Sequence, residues 1–366
     1  MYLLKSDSDF MRSPCFIFLT AILSLLFFSC QEENNKDDLP LSEKSSLTVI
    51  FSTNGIGDMT YNDSLFHGVM DFAFRHDDVL DVYQVQPTAQ EQGVRVLTEW
   101  LASVQADTHR VSKARHLLVL ASSEWEQILS ELVFPLPENY QVILLESTRQ
   151  DWPAGVSAMN VSLYGPCYLA GYLAAWAGKK RPMIIAACPD EPKLQEGIDG
   201  FTDGYFAYGR SAYGFAADTA KIDIRYLAQD HSGFNMSDEA FLLSYELLQG
   251  RKVDCILPLC GGSALGIYRY FNSRVVTLLI GMDGDCSQLC NAVGFSVTRH
   301  VGLLINRWLD TWFSGRELPL YQNYTLEQGF SSIKINPYYY RKLDWAAQID
   351  SIWPVALEKE KQYVER

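Results

Sequence analysis

The sequence predicts an α/β protein of two lobes, each a largely parallel sheet covered by helices. Three observations predict it. Short apolar runs alternate with segments of helical period along most of the chain. That alternation implies parallel strands joined by right-handed crossovers, and it starts afresh near Tyr164. A length of 366 residues is enough for two separate cores.

The first element is not part of either lobe. Lys5 and Arg12 precede an apolar run, Cys15 to Phe28, broken only by Thr20 and Ser24. The run is short for a spanning helix and sits where an export signal belongs. It ends in Leu26-Phe27-Phe28-Ser29-Cys30, which resembles a bacterial lipobox, with Cys30 as the lipidated residue. Residues 1–29 are thus expected to be a signal peptide and 30–46 a polar, acidic tether. Gln31, Glu32 and Glu33 after the cysteine favour the outer membrane, on its periplasmic or surface face. An ordinary signal peptide or a short anchor helix is the alternative.

Strands are expected at Leu47–Phe51, Val79–Val85, His116–Leu120, Gln141–Leu145 and Val156–Val161. Helices are expected at Ser64–Phe74, Ala89–Val104 and Glu124–Leu132. In Ala89–Val104, Val94, Leu97, Leu101 and Val104 recur at three- and four-residue steps and leave Arg95 and Glu99 outside. These make an amino-terminal lobe, 47–162. The second lobe, 163–296, opens with a small-residue helix from Tyr164. Its Ala170, Gly171 and Ala174 suit close packing on a sheet. Strands follow at Pro182–Ala187, Asp223–Leu227, Val253–Leu257 and Val275–Ile280, with helices at Leu194–Tyr208, Asp238–Leu248 and Ala264–Phe271. Residues 297–366 are expected to cross back between lobes at Val297–Phe313 and Phe330–Ile335. They end in a helix, Leu343 to Val364, broken at Pro354.

Composition narrows the function. Hydrophobic content is 48% and charged content 20%, as in a globular protein. A net charge of −14 argues against binding a phosphate backbone, which needs clustered Lys and Arg. The six histidines have no metal-ligand spacing, no Walker loop is present, and Ser263 lacks the second glycine of a nucleophile elbow. The chain therefore reads as a binding protein without cofactor or metal; a hydrolase is the remote alternative. Cys188 and Cys255 read as buried thiols, while Cys286 and Cys290 are candidates to bridge, with each other or with Cys260.

The candidate ligand site starts at Asn54-Gly55-Ile56-Gly57-Asp58-Met59-Thr60-Tyr61-Asn62-Asp63, between a strand and a helix. In open α/β sheets such strand-to-helix loops hold ligands. Asp58 accepts hydrogen bonds, Tyr61 offers a flat face, and Asn62 both donates and accepts. The local alternative is a tight glycine turn with Asp58 or Asn62 capping the helix. Asp283 follows the expected strand Val275–Ile280 and would lie at its carboxyl end, and Gly261 to Ser263 precede a helix; a turn and an N-cap are their alternatives. For Tyr61 the alternative is core filling, and for Arg299 a surface helix position.

Tyr168-Leu169-Ala170-Gly171-Tyr172-Leu173-Ala174-Ala175 resembles the basic membrane protein family of ABC-transporter substrate-binding lipoproteins, characterised members of which bind purine nucleosides. Asp58-Met59-Thr60-Tyr61-Asn62 is similar to the family's Asp-Lys-Ser-Phe-Asn. Gly200-Phe201-Thr202-Asp203-Gly204 is similar to its Gly-Phe-x-x-Gly. Gly261-Gly262-Ser263-Ala264-Leu265-Gly266 is similar to its Gly-Gly-Thr-Gly-x-Gly, and Ile280-Gly281-Met282-Asp283-Gly284-Asp285 to its Ile-Gly-Val-Asp-x-Asp. Ser296 to Arg299 stands where the family has Ser-x-x-Lys. The resemblance runs from about Leu47 to Phe330. It implies a type I periplasmic-binding-protein fold closing on a nucleoside-like ligand, with an ABC permease as partner. Tyr61 would stack on the base, by analogy worth about 1–3 kcal/mol. Asn62 would meet the base edge. Asp283, Asp58 and Arg299 would serve the sugar, and Gly261 and Ser263 would bring the backbone close. Met59, Tyr61, Cys286 and Arg299 depart from the family pattern, which leaves the ligand open. Import, ligand sensing and surface capture of a solute all use the same cleft.

Overall fold

The computed structural model describes residues 44–106, 114–213, 222–250, 253–272, 277–339 and 343–366. The expected signal peptide, Cys30 and most of the expected tether lie outside these residues. Strand β1, Ser45–Ile50, already begins inside the segment expected to be tether.

The first half forms β1, α1 (Tyr61–Phe74), β2 (Leu80–Val85), α2 (Gln90–Ala106), β3 (His116–Leu120), α3 (Glu126–Leu132), β4 (Tyr140–Leu145) and β5 (Val156–Val161). The second half forms α4 (Tyr164–Trp176), β6 (Pro182–Ala186), α5 (Pro192–Tyr213), β7 (Asp223–Tyr226), α6 (Ser237–Gln249), β8 (Cys255–Leu259), α7 (Ala264–Phe271), β9 (Leu278–Asp283) and β10 (Val293–Arg299). The chain then adds α8 (Val301–Phe313), β11 (Tyr321–Tyr324), β12 (Ser331–Ile335) and α9 (Trp345–Val364).

Two six-stranded sheets result, ordered β11-β5-β4-β3-β1-β2 and β12-β10-β9-β8-β6-β7. All pairings are parallel except β12 against β10. The two orders match strand for strand, so β4 and β9 hold equivalent places, as do β5 and β10. Strands such as β6 and β8 are buried at every residue, because helices cover both faces.

The chain passes between lobes three times: after β5, after β10 and after β11. The expected crossing segment Val297–Phe313 splits at His300, with Arg299 ending a strand of the second sheet and Val301 starting a helix of the first lobe. Leu304, Ile305, Trp308, Leu309 and Trp312 of α8 sit in the first lobe's core with Leu65, Val69 and Phe72 of α1. Strand β11, Tyr-Gln-Asn-Tyr, has no apolar alternation, and the sequence reading missed it.

Three expectations need correction. Pro354 does not break the last helix, which runs through it. Proline removes one backbone donor there, but Ile352, Ala356 and Glu360 bury one face of α9 against the second lobe, and that packing holds the helix together. Gly171 serves a helix rather than a sheet: a Cβ there would overlap the Phe201 carbonyl on α5. Cys188, Cys255, Cys260, Cys286 and Cys290 are buried free thiols, with Cys286 and Cys290 unbridged.

Glu360 ties α9 to the crossings. It is 1% exposed, and its two oxygens accept the backbone N–H groups of Gly165 (3.1 Å) and Leu326 (2.8 Å). Those donors follow the first and third passages between lobes, so one carboxylate braces both.

Gly171→Ala should lower stability by about 1–3 kcal/mol, the usual range for overpacking. Thermal or urea unfolding checks it, and an unchanged midpoint would show that α4 and α5 can separate freely.

Candidate functional site: an acidic cleft between the lobes

A cleft lies at the carboxyl ends of the strands of both sheets. Its wall is made by Ser52 and Asn54 after β1, Ser122 to Glu124 after β3, and Glu146 after β4. The facing wall is Glu191 and Lys193 after β6, Phe234 after β7, Cys260 and Gly261 after β8, Asp283 ending β9 and Arg299 ending β10. The cavity volume is about 100 Å³. That is small beside the roughly 300–1,000 Å³ of typical ligand sites, so a sugar or nucleoside requires the lobes to part further.

Six of the seven expected ligand residues line this cleft: Asp58, Tyr61, Asn62, Gly261, Asp283 and Arg299. Ser263 does not. It is fully buried, and its hydroxyl donates to the Gly233 carbonyl (2.8 Å) and accepts from the Met236 N–H (2.6 Å). Its work is to fasten the loop after β7 to the start of α7.

Asp58 caps α1. Its carboxylate accepts from the backbone N–H groups of Thr60 (2.9 Å), Asn62 (2.9 Å) and Asp63 (3.2 Å), and from Asn62 Nδ2 (3.0 Å). Asn62 Oδ1 accepts from Ser52 Oγ at 3.3 Å. The helix-cap alternative therefore describes the Asp58–Asn62 pair, which shapes the wall while its main bonds run inward. Burial raises the Asp58 pKa, against the hydrogen bonds from Asn62, Thr60 and Asp63. Gly261 sits at φ +51°, and a Cβ on it would stand 3.0 Å from Phe234 Cδ1 and 3.1 Å from Asn54 Nδ2. A glycine here lets the second lobe's loop close on Asn54 of the first.

The centre of the site is Arg299, 7% exposed. Its Nε donates to Asp283 Oδ1 at 2.6 Å and its Nη1 to Glu146 Oε1 at 2.9 Å. The guanidinium also lies 5.2 Å from the centre of the Tyr61 ring. Burial by itself would lower the guanidinium pKa, but Asp283 and Glu146 hold it raised. Tyr61 donates its hydroxyl to the Ala121 carbonyl at 3.2 Å. Burial, then Glu146, pushes its pKa far up, so it stays a neutral donor.

Glu146 was missed by sequence reasoning, although a signal existed. It follows β4 as Asp283 ends β9, so equivalent strand ends of the two lobes each present an acid. Both acids have left-handed backbone, φ +60° for Glu146 and +68° for Asp283. With Met59, they are the non-glycine residues at positive φ among the described residues. Each such conformation costs on the order of 1–3 kcal/mol and persists only where surrounding bonds impose it.

Lys193 was missed as well. Its Nζ donates to Asn160 Oδ1 (2.6 Å), to Glu196 Oε2 (3.0 Å) and to the Val161 carbonyl, and lies 3.4 Å from Glu146 Oε2. Glu196 accepts from Ser162 Oγ at 2.5 Å. The first passage between lobes is thus fastened by a lysine of the second lobe.

The cleft wall also carries Glu124 and Glu191. Glu124 accepts from Thr53 N (2.9 Å) and Thr53 Oγ1 (3.2 Å), and burial raises its pKa against those bonds. Glu191 Oε1 accepts from Ser123 Oγ across the lobes at 3.1 Å, and its Oε2 lies 2.8 Å from His231 Nε2. The acid stands between the serine and the histidine, so this is not the serine–histidine–acid order of a nucleophile triad. The bond to Glu191 raises the His231 pKa, opposed by burial. Among the described residues no group of three or more His, Cys, Asp and Glu is placed to hold a metal ion.

No family model matches the chain, and no curated protein does. Solved structures do match. A solute-binding protein of an ABC transporter system from Aeropyrum pernix K1 superposes with a TM-score of 0.65 at 17% identity, covering 87% of this chain and 86% of that one. A transcriptional activator of the comK gene from Bacillus halodurans gives 0.58 at 16% identity, over 85% and 96%. GanP, a glucose-galactose binding protein from Geobacillus stearothermophilus, gives 0.57 at 14% identity, over 80% and 98%. This is the type I periplasmic-binding-protein fold. A solute-binding protein, a transcriptional activator and a sugar-binding protein share it, so the fold alone names neither a role nor a ligand.

The raised groups at the cleft fix a sign for pH dependence. Asp58, Glu124 and His231 all have folded pKa values above their ordinary ones. Each contributes stability that is fully present below its unfolded pKa and lost as pH rises through its folded value. Urea unfolding across a pH series should show Glu124→Gln flattening the decline that begins in the carboxylate range, and His231→Asn flattening the part that begins near the imidazole range. Variants with slopes equal to wild type would contradict the assignment.

Proposed function

We propose that the chain is a lipid-anchored solute receptor that captures a small donor-bearing molecule between its lobes and presents it to a membrane partner, an ABC permease. One observation carries this reading: the cleft is walled by buried acceptors from equivalent strand ends of both lobes, which a ligand held by both would bridge. Two of those acceptors, Asn54 Oδ1 and Glu146 Oε2, are buried with no hydrogen-bond partner. Buried acceptors seek donors, and hydroxyl or N–H groups of a ligand supply them. The matched solute-binding proteins lend the transport role by analogy.

A nucleoside-like or sugar-like solute fits this chemistry. Tyr61 offers the flat face for a base, and Asp283, Glu146 and Asn54 offer acceptors for hydroxyls. The lipid anchor rests on Cys30 and the apolar run before it. No helix among the described residues is long and apolar enough to cross a membrane.

Titration calorimetry with nucleosides, sugars and amino acids is the test, with scattering to follow lobe movement. Heat with a nucleoside or sugar is expected, at roughly micromolar Kd, with a change of radius as the lobes part to admit it. Heat from amino acids alone would overturn the ligand class, and an unchanged radius with bound ligand would overturn the clamp. In cells, Cys30→Ser should release the protein from the membrane fraction; retention would remove the lipid anchor.

A further inference from the structure

We propose that the solute taken by this cleft carries a positive charge, an ammonium-type group beside its hydroxyls. The inference rests on the receptor reading above and narrows its ligand. The wall holds five acids, Asp58, Glu124, Glu146, Glu191 and Asp283, against two basic side chains, Lys193 and Arg299. The formal surplus is three negative charges. Both bases are already engaged inside the wall, Arg299 by Asp283 and Glu146, Lys193 by Glu196, Asn160 and the Val161 carbonyl. Neither is free to meet an anionic ligand.

The protein's own offset is partial. His231 stands 2.8 Å from Glu191 and supplies at most one positive charge when protonated. Behind Lys193 the acids continue, with Glu196 8% and Glu360 1% exposed. An uncompensated buried charge costs several kcal/mol, so a guest that brings a cation gains what a neutral guest does not. A proton on one carboxylate is the competing way to cancel the surplus, and burial does raise Asp58 and Glu124.

A second observation is independent of the charge count. Glu146 is 8% exposed, and its Oε2 makes no hydrogen bond; Lys193 Nζ, 3.4 Å away, meets it as an ion pair only. Glu124 of the first lobe and Glu191 of the second also stand close enough for their charges to interact, and Ser123 Oγ donates to Glu191 across the lobes. Phe234 lies beside them, its ring stacked on His231 at 5.9 Å, and an aromatic face next to two carboxylates suits an organic ammonium.

The test is calorimetry on the folded chain with matched ligands. One set is glucose, 2-amino-2-deoxyglucose and glucose 6-phosphate. The other is adenosine, its 5′-amino-5′-deoxy derivative and adenosine 5′-monophosphate. In the set that binds, the amine should bind at least about tenfold tighter than the neutral member, and the phosphate should show no heat. Glu124→Gln should shrink that preference severalfold, and added salt should erode it. A neutral member binding as tightly as its amine, or a phosphate binding at all, overturns the positive-charge inference and leaves the receptor reading standing. Silence from all six ligands counts against the receptor reading and removes this inference with it.

Discussion

The structure turns on one buried guanidinium held by a carboxylate from each lobe. Arg299 ends the last parallel strand of the second sheet, Asp283 ends the strand beside it, and Glu146 reaches over from the first lobe. A buried ion pair is not by itself strong evidence of stability, since desolvation offsets much of the attraction. Its value here is positional. The next described element after Arg299 belongs to the other lobe, so the bond fixes where the second passage begins. It also holds two acids in backbone conformations they would otherwise avoid.

From that point a continuous polar path runs through the joint between lobes. Glu146 neighbours Lys193, Lys193 binds Glu196, and Glu196 accepts from Ser162 at the first passage. Glu360, reaching in from α9, takes the N–H groups that follow the first and third passages. The joint therefore carries charged side chains beside the apolar cluster of Tyr164, Leu326, Ile352 and Ala356, while the lobes on either side have their own hydrophobic cores. In the proposed receptor role these charged groups suit a joint that bends, because polar groups exchange protein partners for water more readily than apolar ones do.

Much of the fold was legible because strand and helix periods differ. His116–Leu120 and Ala264–Phe271 fall where their patterns place them. Elements whose cause is tertiary were not legible: β11 is polar and exists by pairing with β5, and α9 passes through Pro354 because its buried face is anchored. The same split runs through the site. Residues in loops next to strands, such as Asp58, Asp283 and Gly261, stood out by position. Glu191 precedes a long helix and Lys193 lies in its first turn, with nothing local to mark them, and only the meeting of the lobes gives them a role. Ser263 shows the converse, since a helix-start serine carries the same local signature whether it faces a ligand or a neighbouring loop.

The coupling energy between Arg299 and Glu146 tests this account most directly. It is read from urea unfolding of wild type, Arg299→Met, Glu146→Gln and the double variant. Removing the guanidinium alone should cost about 3–5 kcal/mol by leaving buried carboxylates unpaired. The double variant should cost less than the two singles together, by roughly 0.5–3 kcal/mol. Additive losses, or an Arg299→Met protein as stable as wild type, would mean the lobes are held by something other than this grip.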